Sequence, residues 1–228
     1  MNKYFPFLLL IFCLSWLPLS AQVEWRKEPE EAHQEEVFPK WSFGLNGGYG
    51  YRLFRSGRRL NASNKNYIKN LKSGIAFGGE VSYFKWKRVG FGLKYERYQS
   101  KAGDDKDLSE DVTVQHFSGS LIHRTFLENN KSTVLASFLL GYQPYQNKTV
   151  AGAEQFTFTG KTMGWGFSVG IEHRLTNKFA LNLTGSAMMG AVYRLKRETE
   201  INTEVLRLSK DNSVDLSRVS LTVGVRFL

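Results

Sequence analysis

Cysteine is nearly missing from this chain. The single one, Cys13, lies inside an apolar N-terminal run, and no Leu-small-Gly/Ala lipoprotein signature stands directly before it. The chain beyond that run has no thiol, which excludes a disulfide framework and thiolate chemistry there. There is no HExxH motif and no Cys/His cluster at metal spacing, so no metal and no other cofactor is implied. Long hydrophobic runs are scarce too. Residues 5–19 form an apolar stretch of about fifteen, short of the roughly 20 a spanning helix needs, and Pro18 stands near its end. No later stretch comes closer, and mean hydropathy is −0.34. A helical membrane protein is thereby excluded, but a membrane barrel is not, because its alternating strands keep average hydropathy low.

The N-terminus has the layout of an export signal. Lys3 supplies a positive start, residues 5–19 the apolar centre, and Leu19-Ser20-Ala21 the small residues before a cut. Residues 1–21 therefore read as a signal peptide cleaved after Ala21. Residues 22–40 carry Glu24, Glu28, Glu30, Glu31, Glu35 and Glu36 with Pro29 and Pro39; they read as a flexible periplasmic leader. Residues 41–228 are one domain. The formal net charge of +10 would ordinarily suggest nucleic acid, but export removes that partner. The remaining phosphates are those of lipid headgroups and lipopolysaccharide.

From Trp41 onward a period of two dominates. Phe43, Leu45, Tyr49 and Tyr51 alternate with Ser42, Gly44, Asn46, Gly48 and Gly50. Ile75, Phe77, Val81 and Tyr83 alternate with small residues and Glu80, and Phe91, Leu93 and Tyr95 with Gly92, Lys94 and Glu96. The pattern returns at 163–172, 179–184 and 219–227. Neighbouring side chains on a strand point to opposite faces, so each strand has one bulky apolar face and one small polar face. Residues 112–125 and 132–142 are strands by length and β-branched content but fit either parity. That makes eight. The connections 53–72, 99–111, 143–161 and 194–213 are long, and 86–88, 127–130 and 176–178 are short. Long and short alternate throughout, as in outer-membrane barrels with short periplasmic turns, long external loops and periplasmic termini.

The small faces belong inside. An eight-stranded barrel has an interior just wide enough for side chains to fill, and rows of Trp, Phe and Leu would not fit there. The bulky rows therefore face lipid. Trp41, Trp86, Tyr98, Trp165, Phe179 and Tyr193 fall near strand ends, as an aromatic girdle would. Enclosed charges need partners. A three-residue turn at Trp86-Lys87-Arg88 sets Glu80 opposite Lys94, and Glu96, Arg124, Glu172, Arg174 and Arg226 would complete an internal polar network. A lumen so filled should pass little solute.

The run Gly164-Trp165-Gly166-Phe167-Ser168-Val169-Gly170-Ile171-Glu172-His173-Arg174 through Leu181 resembles the sixth and seventh strands of the outer membrane protein β-barrel family, often labelled porin-like. Residues 220–227, ending in Phe227, resemble that family's closing strand and its C-terminal signal for the barrel assembly machinery, with Leu228 a small departure from a terminal aromatic. The resemblance covers 41–228. It implies an eight-stranded antiparallel up-and-down transmembrane β-barrel, monomeric, in the outer membrane of a Gram-negative bacterium. It is nearly silent on activity.

Three motifs bear on chemistry. Gly166-Phe167-Ser168-Val169-Gly170 fits a nucleophile elbow but lies in mid-strand, not at a strand-to-helix turn. His116-Phe117-Ser118 has the His-x-Ser spacing of outer-membrane lipid A deacylases, with Glu128 a candidate to orient the imidazole, although Gly119 stands where those enzymes have Asn. This makes a lipid A-modifying barrel enzyme the alternative to a non-enzymatic structural or surface-interaction role. Finally, the first long connection carries Arg55, Arg58, Arg59, Lys65, Lys69 and Lys72 without an acid, a set suited to lipopolysaccharide phosphates.

Overall fold

The computed structural model describes residues 39–54, 62–104, 108–127, 131–199, 201–209 and 212–228. The proposed signal peptide and all of the leader before Pro39 lie outside them. The elements run β1 (Trp41–Arg52), α1 (Ala62–Lys72), β2 (Ser73–Tyr83), β3 (Val89–Asp104), β4 (Leu108–Phe126), β5 (Ser132–Ala151), β6 (Glu154–Arg174) and β7 (Phe179–Met189). The short β8 (Ala191–Val192), β9 (Arg194–Glu198), β10 (Thr203–Arg207) and β11 (Val214–Asp215) follow, and β12 (Arg218–Phe227) ends the chain.

Strands β1 to β6 each pair antiparallel with the next, β12 pairs with β7, and β12 pairs again with β1. The eight-stranded ring therefore has no free edge. Its shear can be followed around the wall. From Val169 the lateral row passes through Gly185, Leu221, Tyr49, Ile75, Gln99, Thr113 and Gln146 and re-enters β6 at Thr159, ten residues from its start. Such a stagger accompanies the strand tilt that closure requires.

The alternating pattern lands as expected. Leu45, Leu93, Met163, Val169, Leu221 and Val223 are 57–72% exposed on the outside, while Ser82, Glu96, Ser168, Asn182, Thr222 and Arg226 are buried within. The open parities are settled as well. On β4, His116, Ser118, Ile122 and Arg124 point inward and Phe117 and Leu121 outward; on β5, Leu139 is inward and Phe138 and Leu140 outward. In the aromatic girdle, Trp41, Trp86, Trp165, Phe179 and Tyr193 are 40–56% exposed, but Tyr98 is fully buried. Its even number on β3 puts it on the inner face, and the girdle assignment overlooked that parity.

The long connections differ most from expectation. They are largely ordered structure. The 143–161 segment continues β5 and β6 as a ladder to Ala151 and Glu154. Gly152 turns that hairpin at φ 60°, a left-handed conformation that suits glycine. The 99–111 segment extends β3 and β4 to the Asp104–Leu108 pair. In 194–213, β9 pairs with β6 and β10 with β9, so a small sheet wing stands beside the ring. Within 53–72 lies α1. Its apolar residues are few, but Leu71 and Tyr67 join a core of Tyr98, Val112, Val114, Tyr145, Val192, Leu195 and Leu216 at the long-hairpin end.

Candidate functional site

The lumen is the place where polar side chains converge, and it is organised in two levels. At the short-turn end Arg226 is central. Its guanidinium pairs with Glu80 over the bare backbone of Gly44, which stands between them in the ladder, its Nε lies 3.0 Å from Glu172, and its Nη1 donates to the Ser42 hydroxyl at 3.3 Å. Arg124 closes the floor: Nε donates to the Lys87 carbonyl at 2.9 Å, Nη1 to the Pro39 carbonyl at 3.4 Å, and the guanidinium stacks 3.9 Å from the Phe84 ring centre. The void remaining among Ser42, Phe84, Arg124, Glu172 and Arg226 is about 10 Å³, the lower limit for one water.

Glu96 and Arg218 form the second level. Arg218 Nη2 lies 3.1 Å and Nε 3.2 Å from Glu96 Oε1, and the Ser186 hydroxyl donates to Glu96 Oε2 at 3.4 Å. Both charged side chains are almost entirely enclosed, at 0% and 3% exposure. Above them the lumen turns apolar. The Tyr98 hydroxyl donates to the Lys72 carbonyl at 2.7 Å and the Ser100 hydroxyl to the Leu71 carbonyl at 2.9 Å. Carbonyls at a helix C-terminus have no partner within the helix, and here β3 supplies one to each of two. These bonds fasten α1 against the inner wall of the ring.

The charges named from sequence are thus partly assembled. Glu80, Glu172 and Arg226 meet, with Arg124 beside them. Glu96 belongs to a separate pair. Lys94 is buried and stands opposite Glu80 in the ladder, so the hairpin register is as expected. The partner of Glu80 is nonetheless Arg226, and Lys94 forms no ion pair among the described residues. The reason is geometric: Gly44 stands between Glu80 and Arg226 in the ladder and has no side chain, so the two meet over it, one strand further along the wall than the direct hairpin partner. Arg174 is half-buried at the last position of β6, its amide donating to the Lys131 carbonyl at 2.7 Å. Arg218 and Gln143, both fully buried, are the lumen residues that the sequence reading does not name. Arg218 shares the even parity of Arg226 and could have been found by starting β12 one residue earlier.

His116 and Ser118 share the inner face, buried at 1% and 5% exposure. They are not wired as base and nucleophile. The Ser118 hydroxyl donates to the Lys94 carbonyl at 3.3 Å, and no hydrogen bond joins it to His116 among the described residues. The carboxylate opposite His116 is Glu96, which is held by Arg218. Glu128 lies outside the described residues, as do Arg55, Arg58 and Arg59. Lys65 and Lys69 are exposed on α1. No cluster of three or more potential metal ligands occurs among the described residues.

With this geometry in view, the comparisons are informative about fold. A model of the outer membrane protein beta-barrel domain matches residues 32–227. Neisserial surface protein A superposes with a TM-score of 0.53 at 14% identity, covering 83% of this chain and 97% of its own. Ail, the attachment invasion locus protein of Yersinia pestis, gives 0.52 at 12% identity, covering 83% and 99%. OprG from Pseudomonas aeruginosa gives 0.51 at 12%, covering 82% and 94%. Compared with curated proteins, the chain matches none in sequence.

Proposed function

Because this chain belongs to the outer membrane protein β-barrel domain family, we propose that it is a non-enzymatic surface barrel of the Gram-negative outer membrane, sealed to diffusion. The short turns, with Pro39 and Leu228, lie in the periplasm, and the long hairpins project from the cell. The observation that carries this reading is the double closure of the lumen. Arg226 with its two carboxylates and Arg124 fill one end, and the apolar core around Tyr98 and Leu71 fills the other. A channel would need the opposite arrangement, a continuous solvated bore. The ordered hairpins support a surface-interaction role, since a pre-formed sheet presents a fixed surface at little ordering cost.

Two partner assignments belong to this reading. The basic first connection, through Lys65 and Lys69 and with Arg55, Arg58 and Arg59, contacts lipopolysaccharide phosphates. The closing strand, ending at Phe227, is the segment taken up by the barrel assembly machinery. The test pairs planar-bilayer recording with labelling of whole cells. The inserted protein should give no stable conductance step, and a cysteine placed at exposed Ile201, between β9 and β10, should react with an impermeant thiol reagent. Large steady conductance steps would overturn the sealed barrel, and labelling only after cell breakage would overturn the orientation.

A further inference from the structure

We infer that the outer wall carries a second anion site, formed by Lys161, Arg194 and Arg207, that takes the phosphate of a glycolipid in the outer leaflet. It rests on the membrane reading above but on different residues from the first connection.

Register brings these cations together. Arg194 and Arg207 are direct partners in the β9–β10 ladder. The register that pairs Gly160 with Leu195 brings Arg194 alongside Lys161 on β6. All three are exposed on the outer side of the wall, where Leu195 and Leu206 of the same two strands pack inward against the core. Like charges directly opposed across a ladder are destabilising. Here Lys196, the next outward residue of β9, is matched by Glu198 at 2.6 Å. Lys161, Arg194 and Arg207 form no ion pair among the described residues.

The setting says what would match them. Lys161 and Arg194 line a groove of about 780 Å³ together with Gln115, Tyr142, Pro144 and Lys196, with no carboxylate on its walls; Arg207 stands outside that lining, beside Arg194 in the ladder. Its lower rim is the upper edge of the apolar band. Met163, 63% exposed, lies two residues along β6 from Lys161, and Tyr142, 42% exposed, two residues along β5 from Pro144. A ligand seated here meets guanidinium and ammonium groups at one end and bare hydrocarbon-facing side chains at the other. A lipid whose headgroup bears phosphate matches both ends. The phosphate receives charge-assisted bonds from the arginine forks and relieves the repulsion between Arg194 and Arg207. Its acyl chains lie along Tyr142, Met163 and Trp165. A soluble phosphate would use only the first half of the site.

The experiment uses the mature chain inserted into phosphatidylcholine vesicles containing a minor fraction of bisphosphorylated lipid A, or the same lipid A with its phosphates removed. Lipid retained by the protein after mild detergent extraction is counted by mass spectrometry. Wild type should retain the phosphorylated form selectively. The triple variant Lys161→Gln, Arg194→Gln, Arg207→Gln should bind it more weakly by on the order of a hundredfold, at roughly the value of a basic residue near an anionic surface. Lys161→Arg should keep binding, and different gel migration of unboiled and boiled samples confirms that the triple variant is folded. Equal retention of both lipid A forms, undiminished binding by the folded triple variant, or full competition by soluble polyphosphate would overturn the inference while leaving the barrel intact. Failure of wild type to insert at all would overturn the membrane reading, and this inference with it.

Discussion

The hydroxyl of Tyr98 donates to the carbonyl oxygen of Lys72 across 2.7 Å, and this bond holds the last residue of α1 to the inner wall of β3. Its two halves can be separated. Tyr98→Phe keeps the buried ring and removes the donor, and should lower stability by about 1 kcal/mol. Tyr98→Ala also empties a site of 0% exposure and should cost about 3–5 kcal/mol. Urea unfolding in detergent micelles measures both. Equal, small losses would mean that the ring is not packed in a core and that the lumen is open at that end.

Arg226 offers a sharper test, because one guanidinium serves Glu80 and Glu172 together. Arg226→Met should cost roughly 3–5 kcal/mol, since it strands two enclosed carboxylates. In a double-mutant cycle, Glu80→Gln and Arg226→Met should couple by about 0.5–3 kcal/mol. Glu80→Gln and Lys94→Met should be additive, despite facing each other in the ladder. Coupling to Lys94 in place of Arg226 would show that the pairing over Gly44 is wrong.

These two sites mark what was legible in the sequence. Period-two alternation places Leu93 outside and Glu96 inside, and a three-residue turn places Glu80 opposite Lys94, because both are properties of a single hairpin. Ion partners beyond the directly paired strand depend on the registers of several ladders and on side-chain reach: Glu80 meets Arg226 with β1 between them and Glu96 meets Arg218 with β1 and β2 between them, so neither pair follows from a single hairpin. The 53–72 segment reads as a loop because α1 is polar over most of its length, and its docking rests on the tertiary contacts of Leu71 and Tyr67 and on the bonds from Tyr98 and Ser100. Residues 143–161 read as a loop because Pro144, Gly152 and Gly160 interrupt the pattern. The structure absorbs them as an outward Pro, a hairpin turn and a glycine packed against Val192 and Leu195.

Closure of the ring through the β12–β1 and β12–β7 ladders has a direct consequence on gels. A closed ring offers no edge strand from which to fray. Samples in dodecyl sulfate should migrate differently before and after boiling. Identical migration of inserted protein would contradict a closed barrel.

The orientation of His116 and Ser118 bears on lipid chemistry. Both lie inside, with Ser118 bonded to a backbone carbonyl and Glu96 committed to Arg218. His116→Ala and Ser118→Ala should therefore leave the acylation pattern of lipid A unchanged when expressed in place of wild type, as read by mass spectrometry of extracted lipid. A lost acyl chain that appears with wild type and not with either variant would establish the enzyme reading.

The exterior provides the test on which the most depends, because its sign differs between water and lipid. Val169 is 57% exposed near the middle of the apolar face of β6, flanked by Phe167 and Ile171 at 51% and 52%. In water, an arginine there would cost almost nothing, since it replaces exposed hydrocarbon by a solvated charge. In a bilayer the same guanidinium meets hydrocarbon, and Val169→Arg should cost about 2–4 kcal/mol. Ile201, 98% exposed between β9 and β10, is the control. It lies on the sheet wing beyond the apolar band, so Ile201→Arg should change stability by no more than about 0.5 kcal/mol. Both variants are to be unfolded from phosphatidylcholine vesicles. A large loss at Val169 beside none at Ile201 locates the hydrocarbon on the wall. Equal, negligible losses would mean that water covers both positions, and the bulky exposed rows on β1 to β7 and β12 would then need a protein partner to cover them.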